Sequence, residues 1–154
     1  MRDEHSIDSE VRYCIEIGAT PGTVWDALTN PDSIKRWMFD TELEVVSDRQ
    51  VGRPIVFRGE LNGSRFENHG TIRAFVPETV FEYDYWSTLS RSKVPDRPEN
   101  YTTVRFELAK MDRGTMLTLL LSGFADESIY RHVKFYWNGT MHILKRFCEE
   151  RGEA

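Results

Sequence analysis

Cysteine and histidine are scarce in this chain of 154 residues: two Cys, Cys14 and Cys148, near opposite ends, and four His at positions 5, 69, 132 and 142. No Cys-x-x-Cys pair occurs, and His132 and His142 stand ten residues apart, which is no metal-ligand spacing. No metal and no other cofactor is expected, and two unpaired thiols fit a reducing compartment better than a disulfide does. A Gly-rich phosphate loop and a nucleophile elbow are also lacking, so no catalytic constellation emerges. No apolar run approaches the ~20 residues that span a bilayer, and the opening MRDEHSIDSE lacks the apolar core of a signal peptide. The expectation is a cytoplasmic protein with no transmembrane segment. The net charge of -5 comes from acidic and basic residues that are interspersed, with no basic stripe for phosphate, so nucleic acid is not an expected partner.

What the chain has instead is aromatic side chains, 12% of the total, gathered in its strand-like stretches and its last helix. No linker or repeat divides residues 1–154, which read as one domain. Over residues 126–150 a helical repeat puts Ile129, Val133, Tyr136, Trp137, Thr140, Met141, Leu144, Phe147 and Cys148 on one side. A helix of roughly 36 Å, at 1.5 Å per residue, needs a broad apolar partner, which the strand-rich middle must supply. Phe135 falls on the polar side, which leaves three readings: a homodimer contact, a membrane-surface contact, or a later helix start. Gly139, inside the helix, marks a bend or a close approach.

Residues 1–8 are polar and are expected to fray. From Val11, strict alternation places Val11, Tyr13, Ile15 and Ile17 on one face of a strand that Gly18 ends. Thr20-Pro21 and Asn30-Pro31 each pair a capping side chain with a proline already at helical φ, so two short helices follow, with Trp25 and Trp37 inward. Strands are then expected over 41–46, 54–60, 65–75, 80–86, 101–108 and 115–124. Asn62-Gly63 is a hairpin turn, and Pro54 belongs at a strand start or edge. Glu82, Asp84, Glu107 and His69 point outward and are expected to be solvated or structural. The connection 87–99 is long and polar and is the candidate lid. The fold class is therefore α+β: a curved, seven-stranded antiparallel sheet with a long C-terminal helix and two short helices after the first strand.

The run IEIGATPGTVWDALTNPDSIKRW, residues 15–37, resembles the N-terminal signature of the family related to the C-terminal domain of the activator of Hsp90 ATPase. Weaker similar elements are Val51-Gly52-Arg53, Gly70-Thr71-Ile72 with Pro77, the Ser-Gly-Phe ending at Phe124, and Trp137 with Leu144 and Lys145. The resemblance implies the helix-grip fold of the START-like superfamily, in which the sheet holds the C-terminal helix around an apolar cavity. Members of that superfamily bind lipids, sterols, hormones or polyketides, and some cyclise or dehydrate polyketide-like substrates. Two departures stand out: Tyr136, where the family commonly has Gly, is expected to fill part of the cavity, and Leu121, where it commonly has His, removes a polar group from the wall.

The wall expected on this basis is Trp37, Phe57, Phe66, Asn68, Ile72, Tyr83, Tyr85, Leu119, Leu121, Trp137 and Met141. An inward carboxamide costs roughly 1 to 3 kcal/mol if unpaired, so Asn68 needs a partner: Tyr83, Tyr85, a water or a ligand. The leading expectation is binding of a small hydrophobic molecule, lipid-, polyketide- or isoprenoid-like, with residues 87–99 and the Asn30 region gating the cavity. The alternatives are a polyketide cyclase or dehydratase-like enzyme and a protein-binding, chaperone-associated domain.

Overall fold

The computed structural model describes residues 10–91 and 93–152; the polar segment 1–8, with His5, lies outside the described residues. Seven strands, β1 (Glu10–Ile17), β2 (Leu43–Ser47), β3 (Pro54–Leu61), β4 (Ser64–Val76), β5 (Val80–Ser87), β6 (Thr102–Met111) and β7 (Gly114–Ser122), form one antiparallel sheet. Its order is β1-β7-β6-β5-β4-β3-β2. Consecutive strands from β2 to β7 are neighbours, as their short connections demand, and β1 closes the far edge against β7. The helices are α1 (Pro21–Thr29), α2 (Pro31–Trp37) and α3 (Glu127–Gly152). This is the expected helix-grip arrangement, with α3 running two residues beyond its expected end.

Local chemistry accounts for the punctuation. Thr20 Oγ1 accepts from the Thr23 N–H at 3.2 Å, and Asn30 Oδ1 accepts from the Asp32 N–H at 3.0 Å, so both proline-started helices are capped. Asn62 and Gly63 have φ of 52° and 82°, the two left-handed residues that let a two-residue turn match the strand twist. At Gly114, φ is +118° and a Cβ would stand 2.2 Å from the Ile17 carbonyl oxygen, so the β6–β7 turn can fold against the end of β1 only with glycine there.

Helix α3 lies across the sheet. Val133, Trp137, Met141, Leu144 and Cys148 are buried on it, as is Tyr130, which the helical plot left unassigned and which packs edge-on against Phe124. Full burial of a side chain such as Leu144 is worth about 2 kcal/mol. Polar ties hold the helix in register: Tyr13 Oη donates to the Lys134 carbonyl at 2.9 Å, Lys145 Nζ to the Glu16 carbonyl at 2.8 Å, and the Gly18 N–H to Glu149 Oε2 at 2.8 Å. Arg151 reaches Asp26 at 2.7 Å, joining the end of α3 to α1.

Several expectations need correction. Alternation along β4 breaks at a bulge between Ile72 and Ala74, which turns Phe75 onto Trp25 and Phe81, with ring centroids at 5.1 and 5.8 Å. Asp84 is not solvated. It is buried and accepts the Thr71 N–H at 2.9 Å and the Arg73 guanidinium at 2.7 Å. Glu82 and Glu107 share Arg105. Gly139 makes no close approach, since a Cβ there would meet nothing within 4 Å; the helix runs unbroken through it.

Candidate functional site

Between α3 and the sheet lies a hollow of about 420 Å³. Phe57, Phe66, Asn68, Tyr83 and Tyr85 line it from β3, β4 and β5, and Trp137 lines it from α3. These are six of the eleven residues expected in the wall. The other five, Trp37, Ile72, Leu119, Leu121 and Met141, are packed into the core and do not reach it. Trp37 is held there by its indole N–H, which donates to the Ala27 carbonyl at 2.8 Å, and its ring lies 6.2 Å from that of Trp137.

Apart from Tyr136, expected to fill part of the cavity, the rest of the wall was not assigned from the sequence. Met38 and Phe39, just past α2, enter it with Tyr136, whose hydroxyl donates to the Met38 carbonyl. Tyr136 thus narrows the cavity, as its bulk suggested, and also bolts α3 to the end of α2. Val133 and Ile129 continue the wall along α3, and Val104 and Thr102 along β6. Periodicity had marked Ile129, Val133, Tyr136 and Val104 as inward, but not Met38, Phe39 or Thr102; which inward side chains face space and which face each other depends on how far α3 stands off the sheet. The Asn30 region is not at the cavity: the Asn30 side chain is spent on capping α2 and on Asp26.

The mouth is formed by the connection after β5 and the first turns of α3. Leu89, Ser90 and Lys93 face Ser128 and His132 across it, and Lys93 Nζ lies 3.3 Å from Ser128 Oγ. That connection was expected to be a loose polar flap. It carries two short 3₁₀ turns, Thr88–Ser90 and Pro98–Asn100, and it is pinned to the outer face of the sheet. Trp86 Nε1 donates to the Val94 carbonyl at 3.2 Å, His69 Nε2 contacts Asp96 at 2.8 Å, and Tyr101 Oη donates to Asp96 at 2.6 Å. His69 Nδ1 meets Glu67 at 2.8 Å. Burial alone would lower the His69 pKa, but its two carboxylate partners outweigh that and raise it. A second hollow of about 440 Å³ lies on this outer face beside His69, Arg73, Asp84, Asp96 and Tyr101, whose polar groups already satisfy one another.

Inside the main cavity the polar groups are few. Asn68 Oδ1 is fully enclosed and has no hydrogen-bond partner among the described residues; neither Tyr83 nor Tyr85 supplies one. Burial holds the Tyr83 phenol well above its usual pKa and pushes Tyr85 up to about 12, so both remain neutral O–H groups. No Asp or Glu lines the cavity among the described residues, which leaves no carboxylate base there. The same residues hold no cluster of His, Cys, Asp and Glu able to bind a metal and no helix long and apolar enough to cross a membrane. Cys14 and Cys148 are free thiols, and burial pushes the Cys148 pKa up to about 12.

Comparison with known proteins places this geometry. ChR145 from Cytophaga hutchinsonii, known from a solution structure, is 33% identical, with 97% of this chain and 99% of that chain covered and a TM-score of 0.77. The Aha1 dimer from Colwellia psychrerythraea is 19% identical over 92% of this chain and 96% of that one, with a TM-score of 0.69. DynU16, a protein in the dynemicin biosynthetic locus, is 20% identical over 92% of this chain and 48% of that one, also at 0.69. No curated protein matches. The family model "Activator of Hsp90 ATPase homolog 1-like protein" matches residues 18–149, from the glycine that ends β1 to the glutamate that bonds back to it, and the chain belongs to that family.

Proposed function

We propose that the protein binds an apolar or aromatic small molecule, of lipid-, polyketide- or isoprenoid-like character, in the cavity between α3 and the sheet. The observation that carries this reading is the combination of an aromatic-lined hollow of about 420 Å³ with a buried carboxamide oxygen that no described residue satisfies. The driving force is removal of the ligand's apolar surface from water, about 25 cal/mol per Å², while Asn68 and the two tyrosines set its orientation. The connection between β5 and β6 gates the mouth. Cyclase or dehydratase chemistry is not favoured, because proton abstraction needs a base within reach: among the described residues the wall offers no carboxylate, and its imidazole, His132, stands at the mouth.

Native mass spectrometry of freshly purified protein, followed by denaturation and extraction, is expected to reveal a small organic molecule released on unfolding. Empty protein that also fails to enhance a cavity-seeking fluorophore removes the reading. A homodimer is a further proposal, supported by the exposed Phe135 and by the dimeric state of the Colwellia relative. So is a cytoplasmic location, with which the two free thiols agree.

A further inference from the structure

The two ends of the cavity differ in polarity, and the strand register tells them apart. Asn68 pairs with Ser87, the last residue of β5, and Thr102 pairs with Tyr85. These polar side chains therefore stand at the mouth, where the connection leaves the sheet, and the Asn100 carboxamide joins them from that connection. Two positions deeper along β5, Tyr83 stands opposite Val104, and Trp137 faces the same space from α3. Ser128 at the mouth and Trp137 are nine residues apart on α3, so the hollow runs roughly 14 Å inward at 1.5 Å per residue.

The lining is also biased in charge. Asp and Glu outnumber Lys and Arg in the chain by 25 to 20, yet among the described residues no carboxylate lines the cavity, and the two basic side chains that do, Lys93 and His132, stand on opposite lips of the mouth. Lys93 Nζ lies 3.3 Å from Ser128 Oγ, and Ser128 and His132 are one turn apart on the same face of α3, so the ammonium and the imidazole border one gap. Neither forms an ion pair with a described residue. The carboxylates at the start of α3 are committed elsewhere: Asp126 Oδ1 accepts the Ile129 N–H at 2.8 Å, and Glu127 pairs with Arg131. No arginine joins the lining among the described residues, so the planar fork that suits phosphate is not offered. We infer that the cavity takes its ligand head outward: an amphiphilic carboxylic acid whose carboxylate sits at the mouth between Lys93 and His132, and whose apolar body reaches in past Tyr83 to Trp137. This deepens the proposed binding role and rests on it. A carboxylate carried to the inner end would lose its hydration with no counter-ion to meet it. At the mouth it keeps water on one side and gains charge-assisted hydrogen bonds on the other.

The test uses three ten-carbon chains that differ only in the head group, decanoate, decanol and decylamine, each titrated at low salt into the full-length protein and followed by tryptophan fluorescence. Decanoate is expected to bind at least about fivefold more tightly than decanol, and decylamine more weakly than decanol. The advantage of decanoate should shrink as sodium chloride is added. In the Lys93→Gln/His132→Gln protein, decanoate should fall to within about twofold of decanol, while decanol binds as it does to the wild type and the circular dichroism is unchanged. Decanol or decylamine matching decanoate in the wild type overturns the anionic head group but leaves the cavity reading standing. An advantage for decanoate that survives the double substitution shows that the acid is held elsewhere, and overturns the assignment to the mouth. Failure of all three probes to bind removes the cavity reading, and this inference with it.

Discussion

Gly70 is a residue whose presence follows from one contact. A Cβ at that position would stand 1.8 Å from the Asp84 carbonyl oxygen and 2.5 Å from its carbonyl carbon, where β4 and β5 pass most closely. The Asp84 carboxylate then takes the Thr71 N–H at 2.9 Å, a side chain standing in for a ladder carbonyl. Gly70→Ala must push the two backbones apart, and a loss of about 3 kcal/mol is expected, read as a lower urea midpoint at unchanged m-value. From the sequence, Gly70 was only one of several inward positions on a strand and Asp84 a solvated carboxylate. Alternation assigns a face; it does not report that the outer face is itself covered.

The connection between β5 and β6 borders the mouth of the cavity, and its anchorage depends on pH. His69 bonds to Glu67 through one ring nitrogen and to Asp96 through the other, so both bonds donate only when the imidazole is protonated. Burial works to lower its folded pKa, but Glu67 and Asp96 raise it above the ordinary value of 6.5. That contribution is therefore fully present below about 6.5 and is lost as pH rises through the folded value. The carboxylates run the other way. Hydrogen bonds from His69 and Arg58 hold Glu67 below 4.5, and one from Tyr101, then one from His69, hold Asp96 below 3.8; their contribution goes as pH falls through the lowered values. Anchorage is tightest between about 4.5 and 6.5. Amide exchange over residues 93–100 is expected to be slowest in that window after correction for intrinsic rates, and His69→Gln should remove the loosening on its alkaline side. Equal protection factors at about pH 5.5 and about pH 8 in the wild type would show that the histidine is not the anchor.

At the scale of the whole molecule, α3 has one face gripped by the sheet and another turned to solvent. On the solvent side Phe135 is 83% exposed and Ile143 48%, two turns apart with Gly139 between them. The helix start at Glu127 removes the reading that Phe135 precedes the helix. A homodimer across this face predicts that sedimentation velocity at tens of micromolar finds a two-copy species in the wild type and a single copy in Phe135→Glu, with unchanged circular dichroism. A wild-type monomer under those conditions ends the dimer proposal.

The order of elements, the antiparallel sheet, both proline-started helices and the inner faces of most strands were legible in the sequence, because caps, turns and two- or 3.6-residue periodicity are local properties that neighbouring residues encode. The Asn62-Gly63 turn, the Thr20 and Asn30 caps and the α3 stripe are all of this kind. The division of the inward residues was not local. Tyr83 and Leu119 both point inward, yet Tyr83 borders the cavity and Leu119 is sealed in the core. Nor could local pattern show the β4 bulge that brings in Phe75, or the Asp96 contact that folds a polar connection back onto His69. Those outcomes depend on distances between segments far apart in the chain, set by how Trp137, Tyr136 and Phe39 hold α3 away from the sheet, and they exist only once the tertiary packing is complete.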